Sequence, residues 1–350
     1  MLIEKPSQTL RGGSYIMGSF LKKSVWMLFA SAVFILVLCG LIALSLVFSG
    51  LIGLTIVMSG SPESLNWLQK PWHDYIAFFR ARLGQTSEII DEVTGSRLFN
   101  KQLSTIIAAL HGTVENFFDI PHALYRLPGP WGFVFKAELD VWYLSWMMWP
   151  MKKIGGVLFL SRENRELAKK ALGSVQVRLG SFLIFIDGHK ARESSFHAAL
   201  RVISKLVQKD LLDRQTLVYW DLLLHTPRVE GLLALINANL NSNHVFMFAT
   251  FRSPRKKSNM FLDLWRMTTE PFHVVTWMIP YDPRDLGWSA DQSFDKECFG
   301  AQLIMFVLQT AFPRLKRAGV ETAYEMGYRA PPDIVKAYPD LFDETGLPRA

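Results

Sequence analysis

The chain has 350 residues, half of them hydrophobic, and a net charge of +7, enough for one large domain or two small ones around an ample core. Its two cysteines, Cys39 and Cys298, lack metal-type spacing, which excludes a disulfide scaffold or cysteine-built zinc site and fits a reducing, cytoplasm-facing body. No recognised module or aromatic–basic repeat accompanies the basic charge, so a nucleic-acid binder is set aside and an anionic membrane surface is the simpler partner.

Residues 1–23 form a polar tail. From Ser24 to Pro62 no residue is charged, far more than the roughly 20 apolar residues a spanning helix needs and too long for the ~7–15-residue core of a signal peptide. The run over 24–60 predicts a transmembrane helix or a re-entrant helical hairpin. Gly40, Ser49 and Gly50 are possible turn points. Basic residues on both sides (Lys22 and Lys23 before, Lys70, Arg80 and Arg82 after) favour a hairpin with both ends cytoplasmic. Residues 61–103 mix Trp67, Trp72, Phe78 and Phe79 with Lys and Arg, as expected of an amphipathic neck at headgroup level.

From 104 the pattern changes to alternating elements. Thr105-Ile-Ile-Ala-Ala-Leu110 predicts a buried strand, and Phe117 to Arg126 a helix stopped by Pro128-Gly-Pro130. Strands are expected at Gly132–Phe135, Gly156–Leu160 and Phe182–Ile186, with helices at Glu163–Leu179 and Ser194–Gln208. The segment Val141–Met151 is apolar and rich in tryptophan, an interfacial belt, core, or acyl-chain entry. Later strands are expected near His244–Ala249 and His273–Trp277. Cys298–Ala311 is a long apolar helix, too interrupted for a second span. Strands alternating with helices argue for an α/β body with a mixed sheet flanked by helices, over residues 104–285, followed by a helical extension over 286–350. The basic run Arg252-Ser-Pro-Arg-Lys-Lys257 reads as an interface segment or a solvated loop.

Two short blocks carry chemistry. Gly156-Val-Leu-Phe-Leu-Ser-Arg162 ends an apolar run on an arginine. Ile184-Phe-Ile-Asp-Gly-His-Lys-Ala-Arg192 ends one on an acid, a glycine and bases. Both can hand charged groups to a phosphate-bearing ligand.

The order of blocks resembles the glycerophospholipid acyltransferase family, which contains the lysophosphatidic acid acyltransferases. That family carries H-x-x-x-x-D after a strand, then G-x-x-F-[IL]-x-R, F-P-E-G-T-R and a proline-bearing block. The resemblance spans roughly residues 62–285. Leu224-His-Thr-Pro-Arg-Val-Glu-Gly231 is similar to the P-R-T-x-G-F stretch of the lysocardiolipin-acyltransferase-like branch. It implies a membrane protein that transfers an acyl group from acyl-CoA or acyl carrier protein to a lysophospholipid, with the acyl donor as co-substrate and no metal or resident cofactor. Gly156, Phe159, Leu160 and Arg162 match the second block, so Arg162 is the implied phosphate grip. In the third block Asp187 replaces glutamate, Gly188 is kept, and Lys190 keeps charge without the planar guanidinium fork. These residues are the implied substrate contacts. In the first block Asp119 falls where the family's aspartate sits, but Val114 stands five residues before it. His111, directly after the predicted strand, is the candidate general base. Its partner is Asp119 across a three-residue insertion, or Asn116 in H-x-x-x-x-N. His122 and His189 are weaker candidate bases. A relative that keeps the fold and anchor, binds lipid and has lost catalysis is the alternative.

Overall fold

The computed structural model describes residues 85–113, 116–127, 129, 131–136, 157–160, 165–175, 180–187, 192–252, 266, 270–290 and 294–349, with isolated positions between Val25 and Ala81. The isolated positions from Val25 to Leu54 are helical, and Val25, Leu36, Val47 and Leu54 among them are exposed. The choice between one span and a hairpin, and the segment Val141–Met151, lie outside the described residues.

The elements run β1 (Thr86–Asp91), β2 (Thr105–Ala109), α1 (Asn116–Ala123, continued by a 3-10 turn Leu124–Arg126), β3 (Trp131–Lys136), β4 (Val157–Leu160), α2 (Arg165–Gly173), β5 (Ser181–Phe185), α3 (Glu193–Val207), α4 (Thr216–Tyr219), α5 (Val229–Ala238), β6 (Asn243–Ala249), β7 (His273–Pro280), α6 (Lys296–Arg317) and α7 (Pro332–Ala337). Among the described residues the strands form one mixed sheet of seven in the order β1-β7-β6-β2-β5-β3-β4. β6, β2, β5, β3 and β4 are parallel, β7 is antiparallel to β6, and β1 runs parallel to β7. The carboxyl ends of five strands therefore share one edge of the sheet.

Beyond their first residues (Thr105, Ser181 and Asn243-His244) the central strands β2, β5 and β6 are apolar throughout, because both faces of the sheet are covered. Along β2, Ile106, Ala108 and Leu110 face a thick layer that holds Leu172, Phe196, Leu200, Leu232, Ile236, Phe299 and Phe312. Ile107 and Ala109 face a thin layer holding Ile120, Ala123, Leu124 and Leu127 from α1 and its continuation. β5, β6 and β7 alternate in the same sense, as the two-residue period of a strand requires. α3 buries Ser195, Phe196, Ala199, Leu200, Ile203 and Ser204, the stripe of an amphipathic helix.

Two expectations change. The neck over 61–103 contains a strand: residues 86–91 pair with β7, giving up local apolar periodicity for an edge position. The segment 286–350 is part of the body: Phe299, Leu303, Val307, Phe312, Ile334, Leu341 and Phe342 lie in the same core as β2 and β5. Among the described residues α6 is the one helix long and apolar enough to cross a membrane, yet over half of its apolar stretch is buried in the protein. Asp295 caps α6 by accepting from the Glu297 N–H at 2.8 Å, and Arg314, Lys316 and Arg317 oppose the helix dipole in its last turn. In the sheet β3 lies between β4 and β5.

At the edge opposite the parallel carboxyl ends, the His244 ring meets Tyr281 at 5.8 Å between centroids. Among the described residues neither His244 Nδ1 nor the Tyr281 hydroxyl finds a hydrogen-bond partner. Burial, outweighing the nearby Asp282, pushes the His244 imidazole down from 6.5 to about 4, and burial raises the Tyr281 hydroxyl well above its ordinary range. Between these two His244 values the unfolded chain binds a proton that the folded protein refuses. The contribution to stability is complete above pH 6.5 and is lost as pH falls towards 4. Thermal unfolding at pH 7.5 and 4.5 should therefore show His244→Leu losing less stability on acidification than the wild type, by up to ~3 kcal/mol.

Candidate functional site

The site is built where β2 and β5 end. In their parallel register Ala109 lies opposite Phe185, so His111 and Asp187 fall opposite each other two residues further on. Both continue the odd-numbered positions that face the α1 layer. His111 is half-buried, and its ring stands edge-on to Phe185 with centroids 4.9 Å apart.

The last regular bond between these strands runs from the Ile186 N–H to the Ala109 carbonyl at 2.9 Å. In a parallel ladder the next would run from the His111 N–H to the Ile186 carbonyl. That carbonyl instead accepts from the Arg228 N–H at 2.6 Å. The His111 N–H donates to Asp187 Oδ2 at 2.7 Å. A side-chain carboxylate thus replaces a backbone carbonyl that has been diverted to another segment. Asp187 is fully buried, and a charge-assisted bond of this kind is among the stronger ones a buried amide can make.

Arg228 is the residue preceding α5 and belongs to the Leu224–Gly231 stretch singled out in the sequence. Thr226 is buried. At Gly231 a Cβ would stand 3.2 Å from Leu172 Cδ1 and 3.3 Å from Ile184 Cδ1, so glycine allows α5 to lie close against α2 and β5. The third block and the proline-bearing stretch therefore meet at one strand end.

On its other side β2 is joined to β6 by the Leu110 N–H, which donates to the Met247 carbonyl at 3.0 Å. A Cβ on Gly112 would fall 2.3 and 2.5 Å from the Phe251 ring and 2.9 Å from Asn116 Oδ1, so nothing larger than glycine fits without displacing an aromatic ring. Asn116 is fully buried. Its Oδ1 accepts from the Thr113 N–H at 3.1 Å, and its Nδ2 donates to the Thr250 carbonyl at 3.1 Å. In these bonds Asn116 braces the turn after β2 against the end of β6.

Asp119 lies in the first turn of α1 and is buried. It and His111 thus come from one β2–α1 connection. His122 follows in the last turn of the same helix. Gly156, Arg162, Gly188, His189 and Lys190 lie outside the described residues. β4, which separates Gly156 from Arg162 in the sequence, occupies the end of the sheet beyond β5 and β3, about 14 Å across the strands from β2 at 4.7–4.9 Å per strand.

Arg252 departs from the reading of its basic run. It is buried, and its guanidinium donates to the carbonyls of Arg266 at 2.5 Å and Glu270 at 2.8 Å. It also lies 4.5 Å from the Phe272 ring centre. This arginine ties the start of β7 to the end of β6. The sequence signal for the Arg228 contribution was a Pro-Arg pair before an apolar helical run; for the Asn116 brace, an asparagine at a helix start.

No family model matches the sequence, and no curated protein matches it. Among solved structures the chain is similar to the crystal structure of the 1-acyl-sn-glycerophosphate (LPA) acyltransferase PlsC from Thermotoga maritima, at 16% identity and a TM-score of 0.39, over 80% of this chain and 97% of that one. The functional reading therefore rests on the residues of the site.

The brace around the His111 turn has a measurable consequence. Gly112→Ala, through overpacking, is expected to cost about 1–3 kcal/mol. Asn116→Ala, which strands a buried amide and carbonyl, is expected to cost about 1–3 kcal/mol as well. Urea unfolding of the full chain in detergent checks both.

Proposed function

We propose that this chain is a membrane-bound acyltransferase that moves a fatty acyl group from acyl-CoA or an acylated carrier protein to the free hydroxyl of a lysophospholipid such as lysophosphatidic acid. The observation that carries the reading is the His111 turn: an imidazole at the carboxyl end of a central parallel strand, on a backbone held by a buried carboxylate, with Asp119 in the first turn of the following helix. The crevice beyond the carboxyl ends of parallel strands is where such sheets bind ligands.

In this reading His111 takes the proton of the acceptor hydroxyl as its oxygen attacks the thioester carbon. The C–O bond forms, the C–S bond breaks, and the thiolate leaves with the proton from the imidazolium. Asp119 holds the imidazole in one tautomer and stabilises its charged form. Backbone N–H groups serve the oxyanion. Arg162 and Lys190 grip the acceptor's phosphate, and Gly156 and Gly188 let the backbone come close to it. The acyl donor is a co-substrate, and the reading calls for no resident cofactor or metal. A bilayer suits the exposed, helical Val25, Leu36, Val47 and Leu54, which in water would leave a large apolar face uncovered, and the body then faces the cytoplasm.

A non-catalytic lipid-binding relative is the second reading. What favours it is the separation of His111 from Asp119 by more than the family spacing, with Asn116 engaged to the backbone at the intermediate position.

Acyl transfer from radiolabelled acyl-CoA and acyl carrier protein to a panel of lysophospholipids, with purified full-length protein in detergent, tests the proposal. The wild type is expected to turn over, and His111→Ala to lose about 10²–10⁴-fold in kcat. Asp119→Asn should lose activity towards the ~10⁴-fold seen when a triad's orienting carboxylate becomes an amide. Turnover that survives His111→Ala but is lost in His122→Ala or His189→Ala would move the base elsewhere. Absence of turnover with every donor, together with lipid binding that Arg162→Ala abolishes, would favour the non-catalytic reading.

A further inference from the structure

We infer that Asp187 is a positioning residue for His111 and not a ligand for the acceptor's phosphate. Three observations converge. The carboxylate is fully buried. Its Oδ2 is engaged by the His111 N–H at 2.7 Å. The backbone carbonyl that would otherwise hold this N–H, that of Ile186, is occupied by the Arg228 N–H at 2.6 Å. An amide partly withdrawn from water at a strand end needs an acceptor, and among the described residues its acceptor is the Asp187 carboxylate. A carboxylate is also a poor partner for a phosphate of the same sign. The acid of the third block therefore sets the backbone from which the imidazole projects, while the Arg228 segment opens the ladder that would otherwise close over it.

The kinetic part of this inference rests on the acyl-transfer reading, and the structural part does not. The test uses the full-length protein in detergent and reads both. Asp187→Asn keeps an oxygen acceptor for the amide and is expected to stay within about fivefold of wild type, the difference between a charged and a neutral hydrogen bond. Asp187→Ala removes the acceptor and is expected to lower kcat about 10–100-fold at unchanged KM for the lysophospholipid, as a displaced catalytic group does. Asp187→Glu keeps the charge but lengthens the arm by one methylene, and is expected to lower kcat about tenfold at unchanged KM. It serves as the second variant should the alanine protein fail to fold. Hydrogen exchange over residues 109–113 should quicken in Asp187→Ala or Asp187→Glu and stay near wild type in Asp187→Asn, while exchange in α6 is unmoved.

A rise in KM at constant kcat, or a glutamate variant as fast as wild type, would overturn the inference and restore Asp187 as a substrate ligand. Unchanged exchange over 109–113 in the alanine variant would overturn it as well. A wild type without turnover whose exchange still follows this pattern would sink the acyl-transfer reading alone and leave the positioning role standing.

Discussion

The arrangement at the carboxyl ends of β2 and β5 depends on a single exchange of hydrogen bonds. A parallel ladder could continue through His111, and a fully paired strand end would offer no opening. Here the Arg228 N–H takes the carbonyl of Ile186 and the Asp187 carboxylate takes the N–H of His111. The His111 N–H and the Ile186 carbonyl both stay paired, so neither adds the desolvation penalty of ~1–3 kcal/mol of an orphaned group. The two strands can then diverge into different turns, one towards α1 and the other towards α3. The third sequence block and the Pro-Arg stretch, separated in the chain by α3, α4 and their connections, are joined by this exchange.

The two faces of the sheet divide the work. The thick layer, with α2, α3, α5 and α6, contains most of the apolar core and fixes where β5 and α5 lie. The thin layer is covered by α1 and its 3-10 continuation. Because His111 and Asp187 sit at odd-numbered positions, they fall on the thin side, where a helix follows β2 directly and places Asp119 in its first turn. A shift of one residue in register would turn both side chains into the thick layer. Gly112 and Asn116 guard against that shift from the β6 side: one leaves room for the Phe251 ring, and the other ties the turn to Thr250.

Much of the fold was legible because the central strands are short apolar runs and the helices between them carry a clear stripe. β2, β3, β5, α3 and β6 begin and end within a residue or two of their expected bounds. What periodicity could not reveal was partnership. Nothing local in Thr86–Asp91 says that a partly polar segment will pair with β7, and nothing in the apolar stripe of α6 says that its cover is the protein's own core. Strand order was likewise hidden, since β4, α2 and β5 read as consecutive while β3 separates the strands in space. At the site, His111 and Asp187 were visible as residue types at strand ends. The way they meet was not, because it runs through the main chain of one and the side chain of the other. Arg252 misled for a related reason: a guanidinium satisfied by carbonyls looks, in sequence, like any member of a basic run.

The pairing of β1 with β7 bears on how the protein is made. Thr86 and His273, whose side chains meet at 2.7 Å across this pair, are separated by 187 positions along the chain. A ribosome adding ~5–20 residues per second needs on the order of 10–40 s to supply the second strand after the first has emerged. Throughout that interval β1 has no ladder to join, and the antiparallel hairpin of β6 and β7 must form before the edge can close. The parallel centre can collect earlier, from β2 to β6, around the strand that bears the histidine turn. Assembly would thus proceed outwards from the middle of the sheet, with the first strand to leave the ribosome the last to dock.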